Sequence, residues 1–294
     1  MDAALNFVKR FMKQFSPAMG KLITGILLIC FFGRAILTAA DVPTVQDPDR
    51  ALPDAPFQLE QGWRALLNGY DLSGWKTVPG GGGDTSRLDE WFRSSSVSWS
   101  RLGSPTRLSA KSGPGPILVN GIASQTTNLV SQEAFGDIEL YLEFLISKGS
   151  NSGVYLHSLY EVQIFDSWGA DTAMTSGDGG GIYERWENNH GFGGSAPLVN
   201  ACRRPGEWQS YHIWFRAPRF DGTRRTADAE FAKVVYNGIV VQRNFRCGGP
   251  TRAALEKPEA PVNPIMLQGD HGPVAFRNIY VRALRDPDAA SSAR

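Results

Sequence analysis

Ile138-Glu139-Leu140-Tyr141-Leu142-Glu143-Phe144-Leu145-Ile146 places an apolar residue at every second position, with Glu139, Tyr141 and Glu143 between them. A period of two turns one face of an extended chain inward and the other outward, so this stretch predicts a strand with one buried face. The same pattern recurs on either side. Tyr211-His212-Ile213-Trp214-Phe215 is aromatic and β-branched, as strands prefer. Phe231 to Tyr236 runs into Asn237-Gly238 and then Ile239-Val240-Val241, and Asn-Gly between two such runs is a strong hairpin signal. Val274 to Leu284 alternates again, and no stretch carries a long helical periodicity. The chain is therefore predicted to be all-β, a sandwich or jelly roll with Gly-rich connections.

The N-terminus has a different character. Lys9, Arg10, Lys13 and Lys21 precede an apolar run from Leu22 to Phe32, followed by the small residues Thr38, Ala39 and Ala40. Basic, then apolar, then small is the layout of an export signal, and a run of 11 residues falls short of a membrane span. Residues 1–40 are read as a signal peptide or N-terminal anchor, which makes the protein exported, or membrane-anchored if the segment is not cleaved. Residues 41–56 hold four prolines and four aspartates and read as a linker. The domain then runs from 57 to 285, and residues 286–294 form a polar tail. Without the first 40 residues the formal charge moves from +1 to −3, which gives no electrostatic case for nucleic acid. Gly80-Gly81-Gly82-Gly83 is followed by no Gly-Lys-Ser/Thr and is read as a loop. Cys202 and Cys247 remain in the mature chain; in an exported protein they are either a disulfide or two separate buried thiols.

The candidate chemistry gathers in one region. Asn151-Ser152-Gly153 reads as a turn, Val154-Tyr155-Leu156-His157 as a strand, and Tyr160-Glu161-Val162-Gln163-Ile164-Phe165-Asp166 as the next. Val162 and Ile164 would face the core. Glu161 and Gln163 would stand on the open face, about 6.6 Å apart. An amide can fix sugar hydroxyls and a carboxylate can take a proton. Tyr155, Tyr160, Phe165 and Trp168 offer aromatic faces nearby, and Gly177-Asp178-Gly179-Gly180-Gly181-Ile182-Tyr183 would let backbone approach a ligand. Asp166, out of phase with Glu161, either joins the site or caps a loop. Gln268-Gly269-Asp270-His271-Gly272 is a second polar knot, and Arg277 beyond it could hold a carboxylate or pair with Glu161.

These phrases also carry a resemblance. Leu67-Asn68-Gly69 and Asp71-Leu72-Ser73-Gly74-Trp75 open it, and Phe135-Gly136-Asp137-Ile138-Glu139-Leu140 follows. Next come the 151–156 and 160–166 phrases, Gly181-Ile182-Tyr183, Pro205-Gly206-Glu207-Trp208, Gly249-Pro250-Thr251 and the two C-terminal segments. The ordered set, from about Phe57 to Leu284, resembles the 3-keto-disaccharide hydrolase family. Two positions depart from that pattern: His157, where members often carry Arg, and Gly179, where they often carry Cys. The resemblance implies a concanavalin A-like sandwich of two antiparallel sheets that acts on glycosides already oxidised at C3. An upstream sugar 3-dehydrogenase would supply such a 3-keto-glycoside.

A 3-keto group acidifies the C2 proton, so a base can remove it, the aglycone can leave from C1, and water can add back. Glu161 is the candidate base, with His157 or His271 as acid or enolate stabiliser. Asn151, Tyr155, Gln163, Asp166, Trp168, Tyr183, Gln268 and Arg277 are candidate substrate contacts. A divalent metal could assist, with Asp166, Asp270, His157 and His271 as its candidate ligands, although no motif compels one. The rival readings are a conventional retaining β-glucanase, which needs two close carboxylates, a non-catalytic glycan-binding module, and an envelope scaffold.

Overall fold

The computed structural model describes residues 62–79, 91–121 and 126–284. The export-type segment, the linker, Gly80 to Gly83 and the 286–294 tail lie outside the described residues. All regular structure among the described residues is β. In chain order the strands are β1 (Arg64–Ala65), β2 (Trp75–Val78), β3 (Phe92–Ser94), β4 (Val97–Ser98), β5 (Ser109–Ala110), β6 (Ile117–Val119) and β7 (Asn128–Phe135). They continue with β8 (Ile138–Ile146), β9 (Asn151–Leu156), β10 (Tyr160–Phe165), β11 (Arg185–Glu187), β12 (His190–Phe192) and β13 (Gln209–Arg216). The last are β14 (Arg219–Asp221), β15 (Arg224–Ala227), β16 (Ala229–Tyr236), β17 (Ile239–Cys247), β18 (Asn263–Leu267) and β19 (Val274–Ala283).

Two antiparallel sheets carry the fold, as expected of a concanavalin A-like sandwich. The larger is ordered β17-β16-β13-β8-β19-β6-β3, with β1 added on β19; the smaller is β10-β9-β18-β7-β2. Leu140, Leu142 and Phe144 of β8 meet Val154, Val162 and Ile164 of the smaller sheet in one core. The alternating pattern at 138–146 thus marks the core face, although Glu139 and Leu145 on the other face are buried as well. Asn237 and Gly238 both take positive φ, as a two-residue hairpin requires.

Two local readings change. Asn151-Ser152-Gly153, expected as a turn, is the first half of β9, with Gly153 paired to Gln163 and Asn151 to Phe165. Turn-type residues are held extended here by a full ladder of tertiary partners. His157, expected in the strand, instead forms the β9–β10 turn with Ser158, both at positive φ. Cys202 and Cys247 are free, buried thiols, so the disulfide alternative gives way to separate thiols. Cys202 lies against the carbonyls of Phe165 and Arg203, whereas Cys247 ends β17 opposite Ala229.

Candidate functional site

The outer face of the smaller sheet is built around a glycine. Val154, Val162 and Ile164 point to the core, so Gly153, Tyr155, Glu161 and Gln163 point away from it. Gln163 is the neighbour of Gly153 on one side. Gln268, whose N–H donates to the Gly153 carbonyl at 3.0 Å, flanks it on the other. The Glu161 carboxyl lies directly over Gly153: a Cβ there would stand 2.0 Å from Glu161 Oε1. Asn151 is two residues along β9 on the same face.

The sequence reading puts Glu161 and Gln163 on an open face, but the fold encloses it. Glu161 is 1% exposed and Gln163 4%. Two segments enclose it. Gly180 to Tyr183 runs along the free edge of β10, where the Gly180 N–H donates to the Gln163 carbonyl and the Tyr183 N–H to that of Glu161. The loop after β17 folds over the β9–β10 turn, with Thr251 bonded to Leu159 and Leu255 to Ser158. Thr251 Oγ1 accepts the Glu161 N–H at 3.2 Å.

Four acceptors on this face have no hydrogen-bond partner within the protein: Asn151 Oδ1, Glu161 Oε2, Gln163 Oε1 and Gln268 Oε1. Buried oxygens are ordinarily satisfied, since leaving one unpaired costs about 1–3 kcal/mol. Gathered on one sheet face, they can accept from ordered water or from a ligand rich in O–H donors. Burial raises the Glu161 carboxyl to about 8. The Tyr155 phenol beside it opposes that rise, and the charge of Asp270 adds to it. The Tyr155 hydroxyl donates to the Arg252 carbonyl at 3.2 Å. A carboxyl poised near neutrality in a closed polar site has the character of a general base or acid.

The 268–272 knot reaches the same face. Gly269 is pressed against the Thr127 carbonyl and Gly272 against the Asn151 N–H, too close for any Cβ. Neither glycine has positive φ, so close approach rather than an unusual backbone is what requires them. Between them His271 Nδ1 pairs with Asp270 Oδ1 at 2.7 Å, which raises the imidazole pKa. His271 is exposed and Asp270 is half-buried, so the pair sits at the rim. Tyr183 is half-buried beside Tyr155.

Other expected site residues lie elsewhere. His157 packs edge-on against Phe215 of the core at 5.1 Å, and burial lowers its pKa to about 4 despite the nearby Gly136 and Phe135 carbonyls. It is a neutral core histidine on the side of the sheet away from Glu161, not an acid for the site. Arg277 pairs with Glu143 at 2.5 Å and lies over the Trp208 ring, on the outer face of the larger sheet. It therefore holds a carboxylate, but not that of Glu161. Asp166 caps a turn, accepting the N–H groups of Gly149 and Trp168. Trp168 is half-exposed beneath the Arg204 guanidinium. Tyr155 and Tyr160 are wholly buried and offer no stacking face. Gly179 and Gly180 make room for the protein's own Tyr236 rather than for a ligand.

Of the four candidate metal ligands only Asp270 and His271 meet; Asp166 caps its turn and His157 lies in the core. Among the described residues no three His, Cys, Asp or Glu side chains gather as a metal ion would need. Sequence reasoning missed the seating of Glu161 on Gly153, the Thr251 anchor and the position of Arg252. Only the Gly249-Pro250-Thr251 phrase hinted at any of these.

Sandwich and acceptor-lined face together define a carbohydrate-active, hydrolase-like domain. The chain belongs to the family described as 3-keto-alpha-glucoside-1,2-lyase-like domains, whose model matches residues 62–282. Among solved structures, one from Parabacteroides distasonis ATCC 8503, provisionally named a glycosyl hydrolase, is 27% identical with a TM-score of 0.53. That match covers 76% of this chain and 84% of the other. A second protein of the same organism and description is 17% identical with a TM-score of 0.48, over 78% and 99% of the two chains. No curated protein matches the chain.

Proposed function

We propose that this protein cleaves 3-keto-glycosides by abstraction of the C2 proton, elimination of the aglycone from C1, and hydration of the resulting alkene. The observation that carries this reading is the set of four unpartnered acceptors around the Glu161 carboxyl on one enclosed sheet face. Asn151, Gln163 and Gln268 would receive the sugar hydroxyls. Glu161 would take the C2 proton, for which a raised pKa suits it, because a stronger base abstracts a weakly acidic C–H more readily. The electron pair left at C2 forms the enolate of the 3-ketone; its collapse expels the C1 oxygen, and a proton must reach that oxygen as it leaves. His271 at the rim, whose imidazole is made more basic by its hydrogen bond to Asp270, would supply that proton. In the second half water adds at C1 and C2 regains a proton, so atoms balance to hydrolysis overall.

The test is turnover of a 3-keto disaccharide and its unoxidised parent in D₂O, followed by NMR. Cleavage of the keto form alone, with deuterium at C2 of the product, is expected. Cleavage of the parent instead would point to Glu161 and Asp270 as an ordinary glycosidase pair. Binding without cleavage would leave a glycan-binding module.

The pH dependence has a defined sign. A base works deprotonated and its partner acid protonated, so kcat/KM should climb as pH rises toward about 8, the value to which burial raises Glu161, and fall again at higher pH as His271 loses its proton. A profile that is flat from pH 6 to 9 would remove Glu161 from the role. Arg277→Ala, by contrast, should leave kcat/KM within about twofold and cost about 1 kcal/mol in urea unfolding, from its lost carboxylate and indole partners. A large loss of turnover without loss of stability would put Arg277 back in the site.

A further inference from the structure

We propose that Trp186, on the β11–β12 ribbon, is the stacking platform for the leaving sugar and so sets which aglycones are accepted, an assignment that rests on the reaction proposed above. The ribbon grows directly out of the site. Ile182 bridges to Val162 and the Tyr183 N–H bonds to the Glu161 carbonyl; three residues later the extended chain reaches Trp186. At the rise of a strand that is roughly 10 Å of chain along the sheet edge beyond Tyr183, the reach of a second ring rather than of the one over Glu161.

The ribbon is a fixed element, not a swinging lid. Its turn, Asn188-Asn189, has both residues at positive φ, which makes a tight hairpin. Its base is clamped. The Glu184 carboxyl lies so close to Gly191 that a Cβ would stand 2.1 Å from its carbon, and the Arg185 guanidinium covers Gly249 in the same manner at 2.9 Å. The Arg252 N–H donates to the Glu184 carbonyl at 2.7 Å.

Arg252 links the ribbon to the site. Its carbonyl accepts the Tyr155 hydroxyl on the Glu161 face, and its guanidinium carbon lies 3.9 Å from the Trp186 ring centroid. A cation against one face of an indole is attracted by its π-system and fixes the ring's orientation. With one face of its ring held, Trp186 is still 41% exposed, a large aromatic left in solvent. Beside a sugar-type site, an exposed and oriented aromatic face is a natural partner for the apolar side of a pyranose.

The test compares Trp186→Ala and Trp186→Phe on a 3-keto disaccharide and on a methyl 3-keto-glucoside, together with calorimetric binding of the unoxidised disaccharide. Trp186→Ala should raise KM for the 3-keto disaccharide about tenfold and weaken disaccharide binding about as much. It should leave the methyl glycoside within twofold, and Trp186→Phe should recover most of the loss. Equal effects on both substrates, or no effect on either, would overturn the platform. If the wild type cleaves neither substrate but Trp186→Ala still weakens disaccharide binding, the platform stands and the proposed reaction falls. If the wild type cleaves the keto disaccharide and Trp186→Ala changes nothing, the reaction stands and the platform falls. Absence of both cleavage and binding by the wild type would overturn both.

Discussion

Glu161→Gln is expected to lower kcat/KM on a 3-keto-glycoside by about 10²–10⁴-fold, the range of a lost general base, while making the protein more resistant to heat above pH 8. The two effects have one origin. The carboxyl is 1% exposed, and one of its oxygens has no partner within the protein. Burial therefore disfavours its ionised form and raises its pKa from 4.5 to about 8. The folded state binds this proton more tightly than the unfolded chain does, so between those two values stability falls as pH rises. The group's contribution is fully present below about 4.5 and lost by the time pH passes 8. A glutamine cannot ionise and escapes that loss. The difference in melting temperature between variant and wild type should consequently widen from pH 5 to pH 9. A difference that stays constant over that range would show that Glu161 does not titrate in the folded protein as described, and full activity in the variant would remove it as the base.

Gly153→Ala is the second large effect. The new methyl would meet Glu161 Oε1 at 2.0 Å and the carboxyl carbon at 2.8 Å. Those atoms end a flexible side chain, so the carboxyl can swing aside and the fold survives at a cost of about 1–3 kcal/mol. Catalysis is less forgiving, since a misplacement of about 1 Å can cost about 10²-fold. A 10²-fold fall in kcat with modest loss of stability is therefore expected. The double variant with Glu161→Gln should be no slower than Glu161→Gln alone, because both changes act through one carboxyl. Multiplicative losses would mean that Gly153 serves catalysis by another route.

Together these variants separate what the chain's local pattern conveyed from what it could not. The strands at 138–146 and 231–241 were legible because burial on one face forces a period of two, and because Asn237-Gly238 suits a turn that needs positive φ. The facing of Glu161 and Gln163 away from Val162 and Ile164 followed from the same period. That Glu161 would be enclosed did not follow. Its cover comes from residues 180–183 and from the loop around Thr251, some 90 positions along the chain. Proximity in sequence misled in the same way. His157 lies four residues before Glu161 yet turns into the core against Phe215, and Arg277 finds Glu143 on the far sheet.

By itself, then, the sequence determined the all-β class, the family resemblance and the strand face on which the candidate base stands, since each depends on short-range periodicity or on ordered phrases. The tertiary structure decided which of the polar residues meet. It seated the Glu161 carboxyl on the bare backbone of Gly153, gathered the acceptors of Asn151, Gln163 and Gln268 around it, and brought Asp270 close. Burial and close packing between distant segments set both the geometry and the pKa of that carboxyl, and neither quantity is carried by any residue's neighbours along the chain.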